Sequence, residues 1–145
     1  MGAARVREAF EAAGALMHTK RIISACQVLR AKGYRVEAGT WGVGWNPKSS
    51  KWAPLKTANK RICPLGALVL VEQPPPGPYL SIPWAVSELL GVGIPWVIDF
   101  QCAFDGVASC VSAGADAAAT VFRSLAAEQA AGAPQASGES GAGEA

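Results

Sequence analysis

Proline and glycine punctuate the second half of this chain so closely that it has room only for short helices. Pro64 stands at a helix's first position, the run Pro74-Pro75-Pro76-Gly77-Pro78 breaks the chain again, and Gly91, Pro95 and Gly106 follow. Proline fixes φ and lacks an N–H, so it is tolerated in a first turn and disruptive further in. Glycine just past a last turn takes the left-handed conformation cheaply. The pattern predicts a short buried helix from Leu65 to Glu72, with a central strand as the competing reading, because periodicity does not separate short buried runs. It also predicts a rigid polyproline connector over 74–78 and a helix capped by Ser81 that ends at Gly91. A further helix opens at Pro95 and stops at Gly106, with Trp96, Phe100 and Phe104 as an aromatic stripe.

The first half is less interrupted. Val6, Phe10, Ala13 and Met17 share one helical face, and Ile22, Cys26 and Leu29 share another that is out of phase with it by about one residue. The mismatch predicts two helices, the second capped by Thr19 and stopped at Gly33. Tyr34, Val36 and Ala38 alternate with Arg35 and Glu37 as in a half-buried strand, and Gly39, Gly42 and Gly44 set off Trp41, Val43 and Trp45 as in a small hairpin. Asn46-Pro47 opens a turn into a polar, basic loop that reaches Arg61. A last Ala-rich helix, Ala113 to Ala130, places Ala118, Phe122, Leu125 and Gln129 on one face. From Ala131 onward only Ala, Gly, Ser, Pro, Gln and Glu remain, which predicts a disordered tail over 131–145.

With 145 residues, 50% hydrophobic and 17% charged, the chain has the apolar material for one core. The expected fold is a single mainly α domain over residues 1–130, a compact bundle of five or six short helices with room for a small β-hairpin near 34–45. Its core would draw on Phe10, Ile22, Leu29, Leu65, Leu68, Val86, Leu89, Trp96, Phe100, Phe104 and Phe122. The first apolar stretch, Ala9 to Met17, is interrupted by Glu11 and makes a poor export signal. The longest uncharged apolar run, Leu89 to Ile98, falls well short of the ~20 residues of a spanning helix. A cytoplasmic protein without a membrane contact is therefore expected, with Cys26, Cys63, Cys102 and Cys110 as free thiols. No Cys-x-x-Cys or His-x-x-x-His pair supports a metal site, and no cofactor is implied.

Charge is the feature that points outward. Residues 1–61 hold twelve cations and three acids, a net +9, whereas 62–145 hold one cation and eight acids, a net −7. Such a split suits halves that neutralise one another within a molecule, or chains that join head to tail as oligomers. It also suits a nucleic-acid surface, since Trp41, Trp45 and Trp52 interleave with Lys48, Lys51, Lys56, Lys60 and Arg61: tryptophan stacks on unpaired bases and lysine neutralises phosphates. Residues 86–97 have the pattern of a helix-turn-helix, with Leu90-Gly91-Val92 at the turn. The second helix, however, carries Asp99 and Asp105 and no Lys or Arg, so it would repel the backbone it should grip.

Catalytic patterns are sparse. Cys63 precedes a helix, and the helix's positive end together with Lys60 and Arg61 would favour its thiolate, which makes it the candidate for a thiol enzyme or redox sensor. A nucleophile needs a base, and nothing places the one histidine, His18, beside it. Asp99 and Asp105 do not converge on a helix, and Gly39-Thr40-Trp41-Gly42-Val43-Gly44 lacks the Lys-Ser or Lys-Thr of a phosphate loop.

Cys63-Pro64-Leu65-Gly66-Ala67-Leu68, Leu90-Gly91-Val92, and Trp96-Val97 with Phe100, Phe104, Asp105 and Gly106 together give the chain a resemblance over residues 62–106. This stretch resembles small uncharacterised bacterial proteins that carry a C-P-L-G-A-L segment and a later W-V…F…F-D-G helix. The resemblance implies a compact helical fold and no activity. The expectation for function is a non-enzymatic binding or accessory domain that acts through a protein partner. Its alternatives are a nucleic-acid module using residues 41–61 and a thiol chemistry at Cys63.

Overall fold

Helix boundaries in the second half fall where proline and glycine place them. The computed structural model describes residues 3–106 and 111–139, and for residues 3–13, 15 and 132–139 the backbone alone. Among the described residues five α-helices carry the fold: α1 (Ala3–Ala31), α2 (Pro64–Glu72), α3 (Ile82–Leu90), α4 (Ile94–Phe104) and α5 (Ala113–Glu139). Between α1 and α2, β1 (Arg35–Val36) runs parallel to β4 (Arg61–Ile62), and β2 (Val43–Asn46) runs antiparallel to β3 (Lys51–Pro54). The fold is mainly α, with one small hairpin.

The caps follow local chemistry. Pro64 occupies the first turn of α2, and the Cys63 sulfur accepts the Gly66 N–H at 3.3 Å. Ser81 accepts the Trp84 N–H at 3.3 Å, and Gly91 ends α3 in the left-handed region at φ 71°. At the end of α1, Gly33 and Tyr34 donate to the carbonyls of Arg30 and Leu29, the paired bonds of a glycine-terminated helix.

Three expectations change. First, α1 is one helix. The Thr19 hydroxyl donates to the Leu16 carbonyl at 2.9 Å, so it is satisfied inside the helix and caps nothing. Ile22, Cys26 and Leu29 are buried, whereas Met17, from the other stripe, is 69% exposed. Second, the hairpin is β2–β3, further along than residues 34–45. The stretch expected as a basic loop supplies both β3 and β4, and β1 finds its partner in β4 rather than in its neighbour. The turn at Asn46 is present, with the Asn46 side chain accepting the Lys48 N–H at 2.9 Å. Third, Phe122 is 58% exposed. Val121, one position earlier, is the residue that α5 buries alongside Ala118 and Leu125. The backbone of α5 runs past Ala130, its expected end, to Glu139 and passes through Pro134. The expectations for Phe10, Cys110 and residues 140–145 lie outside the described residues.

One core joins these elements. Ile22, Cys26 and Leu29 of α1 meet Leu65, Leu68 and Val69 of α2, and Val86, Val97, Phe100, Val121 and Leu125 complete it. Trp96, Phe100 and Phe104 stack down α4 with ring centroids 5.7 and 6.2 Å apart. The column continues at both ends, to His18 of α1 at 5.9 Å and to Phe122 of α5 at 6.0 Å. Two glycines let the 39–44 segment lie against this core. A Cβ at Gly42, whose φ is 76°, would strike the Arg61 carbonyl, and one at Gly66 would strike the Trp41 carbonyl.

Candidate functional site

The hairpin turns its tryptophans inward to different depths. Trp52 is 2% exposed, and its indole N–H donates to the Pro74 carbonyl at 2.8 Å. The Gln73 side chain then engages the backbone of Trp52: Oε1 accepts its N–H at 2.7 Å, and Nε2 donates to its carbonyl at 2.9 Å. A neighbouring strand would make the same pair of bonds, so Gln73 closes the outer edge of β3 at that residue. Trp45 faces Trp52 in register and meets it edge-on at 5.5 Å. Trp41 and Trp45 are half-buried against the core. Burial removes Trp52 from any set of base-stacking residues and leaves Trp45 and Trp41 only partly available.

The cations point the other way. Lys48, Lys51, Lys56, Lys60 and Arg61 are all exposed. Among the described residues none of them pairs with a carboxylate; the ion pairs there are Arg21–Glu72, Arg30–Glu128 and Arg35–Glu37. Lys48 and Lys51 lie at the hairpin's turn, while Lys60 and Arg61 lie at β4. Arg61 is the register partner of Arg35, so two guanidinium groups share the β1–β4 pair. Lys60 takes the left-handed conformation at φ 62° directly after Asn59 at φ 55°. Its ammonium donates to the Lys32 carbonyl at 3.3 Å and lies 5.1 Å from the centre of the Tyr34 ring. The structure thus brings Lys32, Tyr34 and Arg35 beside Lys60 and Arg61. Only parallel pairing of β1 with β4, across about 25 intervening residues, brings them there, and no local spacing rule reaches that far.

The charge split is partly internal. Arg21 grips Glu72 through two nitrogens at 2.6 and 2.5 Å, and Arg30 reaches Glu128 at 3.6 Å beside the Leu125 carbonyl at 3.1 Å. Both pairs tie α1 to the acidic half. The lysines of 48–61 take no part.

Cys63 departs from the chemistry its position suggests. Its side chain is fully buried, and burial pushes the thiol up to about 12 despite the Gly66 N–H aimed at it. Lys60 and Arg61 are exposed and do not offset this. Cys26 is likewise pushed to about 12, by burial first and by the Cys63 thiol second. Asp105 and Gln101 are the polar groups near Cys63, and Gln101 donates to Asp105 at 3.3 Å. His18 packs on Trp96, and burial together with Arg21 holds its imidazole below the ordinary value.

The α3–α4 pair bends by 115° through the turn at Gly91. The Ser87 hydroxyl fixes this turn by donating to the Val92 carbonyl at 2.5 Å. Ile94 and Ile98 are 41% and 44% exposed on α4, an outer surface with no cation to hold a phosphate. Asp105 ends α4 and accepts the Gly39 N–H at 3.2 Å, a structural duty. Among the described residues no three His, Cys, Asp or Glu side chains converge as a metal site would require, and no single helix is long and apolar enough to cross a membrane. Comparison with family models, curated proteins and solved structures returns no match, so the site rests on its own geometry.

Proposed function

We propose that this domain is a non-enzymatic binding module that receives an acidic segment of a protein partner on the face carrying Lys48, Lys51, Lys56, Lys60 and Arg61. The observation that carries this reading is the asymmetry of the hairpin region. Its cations face solvent without carboxylate partners among the described residues, while its tryptophans serve the fold. A cationic face of this kind speeds encounter with an acidic partner and confers selectivity against basic ones. Full burial of Cys63, with its thiol pushed up to about 12, argues against thiol chemistry at that residue.

A second reading, single-stranded nucleic acid, is favoured by half-buried Trp45 beside the lysines of the turn. Fluorescence anisotropy separates the two, using a labelled poly-glutamate peptide and a labelled oligo-dT of equal charge at low and moderate salt. The protein-partner reading expects tighter binding of the peptide. Replacing Lys48, Lys51, Lys56 and Lys60 together by Glu should weaken that binding by about tenfold or more, since several charges act at once. Preference for oligo-dT, with a steep salt dependence, would replace it with the nucleic-acid reading.

A further inference from the structure

A groove of about 280 Å³ opens between the last turns of α1 and α2, beside β1. Val28 and Leu29 of α1 and Leu70 and Val71 of α2 form its walls, and Lys32 and Tyr34 are the other lining residues. Leu29 is buried, whereas Val28 and Val71 are 40% and 37% exposed, so the walls present branched aliphatic surface to solvent. The ammonium of Lys60 reaches the same end, bonded to the Lys32 carbonyl and lying over the Tyr34 ring.

The local sign of charge is decided by magnitudes. Each helix C-terminus contributes roughly half a negative charge. Two end carbonyls of each helix are occupied here, which lessens that charge: Leu29 and Arg30 accept from Tyr34 and Gly33, and Val69 and Leu70 accept from Gln73. Lys32 and Lys60 carry full positive charges, without a carboxylate partner among the described residues. Glu72, the acid next to Val71, is held by Arg21. A cleft with aliphatic side chains on both walls, a mixed polar and apolar lining and a cationic end therefore remains.

We propose that this groove docks a short acidic segment of a partner protein through one leucine-sized side chain, with an adjoining carboxylate placed on Lys32 and Lys60. The proposal rests on the reading of the domain as a binder of acidic protein segments, and it names where and by what chemistry the segment is held. The volume falls just under the roughly 300–1,000 Å³ of small-molecule sites, which suits one or two side chains and not a cofactor. Bases stack on aromatic faces, and the one aromatic ring here, Tyr34, has an ammonium over it, so the groove selects against nucleic acid.

The test is a methyl and amide NMR titration of the full chain with three acetylated, amidated hexapeptides, EELLEE, EESSEE and QQLLQQ, with oligo-dT alongside. EELLEE should shift the methyls of Val28, Leu29, Leu70 and Val71. EESSEE should bind about tenfold more weakly, and Val71→Glu should remove the shifts while leaving the thermal midpoint within a few degrees. Lys32→Glu provides a second variant that leaves the walls intact, and it too should weaken EELLEE. If EESSEE binds as tightly as EELLEE and shifts only residues 48–61, the groove is wrong and the acidic-partner reading stands. If QQLLQQ matches EELLEE, the charged end is wrong and the proposal falls. If no peptide binds, or oligo-dT binds more tightly than all three, the proposal and the reading beneath it fall together.

Discussion

At Cys63 two opposing forces act on one sulfur. The N-terminus of α2 and the Gly66 N–H at 3.3 Å favour the thiolate, an effect typically worth about 0.3–1 kcal/mol. Complete burial favours the thiol, by up to several pKa units. Burial wins, at about 12 against an ordinary 9.0. With iodoacetamide near neutral pH, half-buried Cys102 should therefore label before Cys63 and Cys26, which should react only as fast as the protein opens. Mass spectrometry of the labelled peptides reads the order, and early labelling of Cys63 would contradict it. The same shift sets a pH dependence. Between 9.0 and about 12 the unfolded thiols lose protons that the folded ones keep, so stability is full below 9.0 and falls as pH rises through that window. Denaturant melts from pH 8 upward should show this fall; Cys63→Ala should lessen it, and replacing Cys26 as well should lessen it further. The dipeptide Cys63-Pro64 announces a helix start in the sequence, but depth is a tertiary property. It comes from α1 packing above and from the Trp41 backbone lying against Gly66.

Elements whose ends are set within a few residues were readable, and those set by distant partners were not. Pro64, Ser81, Gly91 and Pro95 fix α2, α3 and α4 through caps and forbidden φ values, all local effects. Which stripe of α1 is buried, Ile22, Cys26 and Leu29, is decided by the core it packs into, and β1 exists only because β4 returns beside it. The exposed cations were legible in part for the same reason: Lys48 to Arg61 stand together in sequence, whereas Lys32 and Arg35 come beside Lys60 and Arg61 by folding. The hairpin is itself a long-range element, held by Gln73 and Pro74 of the α2 terminus. Gln73→Ala should expose or orphan both polar groups of Trp52 and cost about 1–3 kcal/mol, measured by urea denaturation. Faster hydrogen exchange at the Trp52 amide should accompany it. An unchanged exchange rate would mean that the hairpin holds its shape without that side chain.

For the whole molecule, packing outweighs charge. Phe100 lies at the centre of the column from His18 to Phe122, and Phe100→Ala should cost about 3–5 kcal/mol. The Arg30–Glu128 pair joins the basic and acidic halves in partial exposure, and a double-mutant cycle there should return no more than about 1 kcal/mol. Chemical denaturation of both sets compares the two directly. An excess of the second over the first would make the charge split a folding device rather than a binding one. The Gln73 clasp on the hairpin also carries a consequence in time. Trp52 and Gln73 are 21 positions apart, and a ribosome adds about 5–20 residues per second, so Trp52 waits roughly one to four seconds for its partner. Through that interval neither bond from the Gln73 side chain to the Trp52 backbone can form, so the outer edge of β3 stays open until α2 has been made.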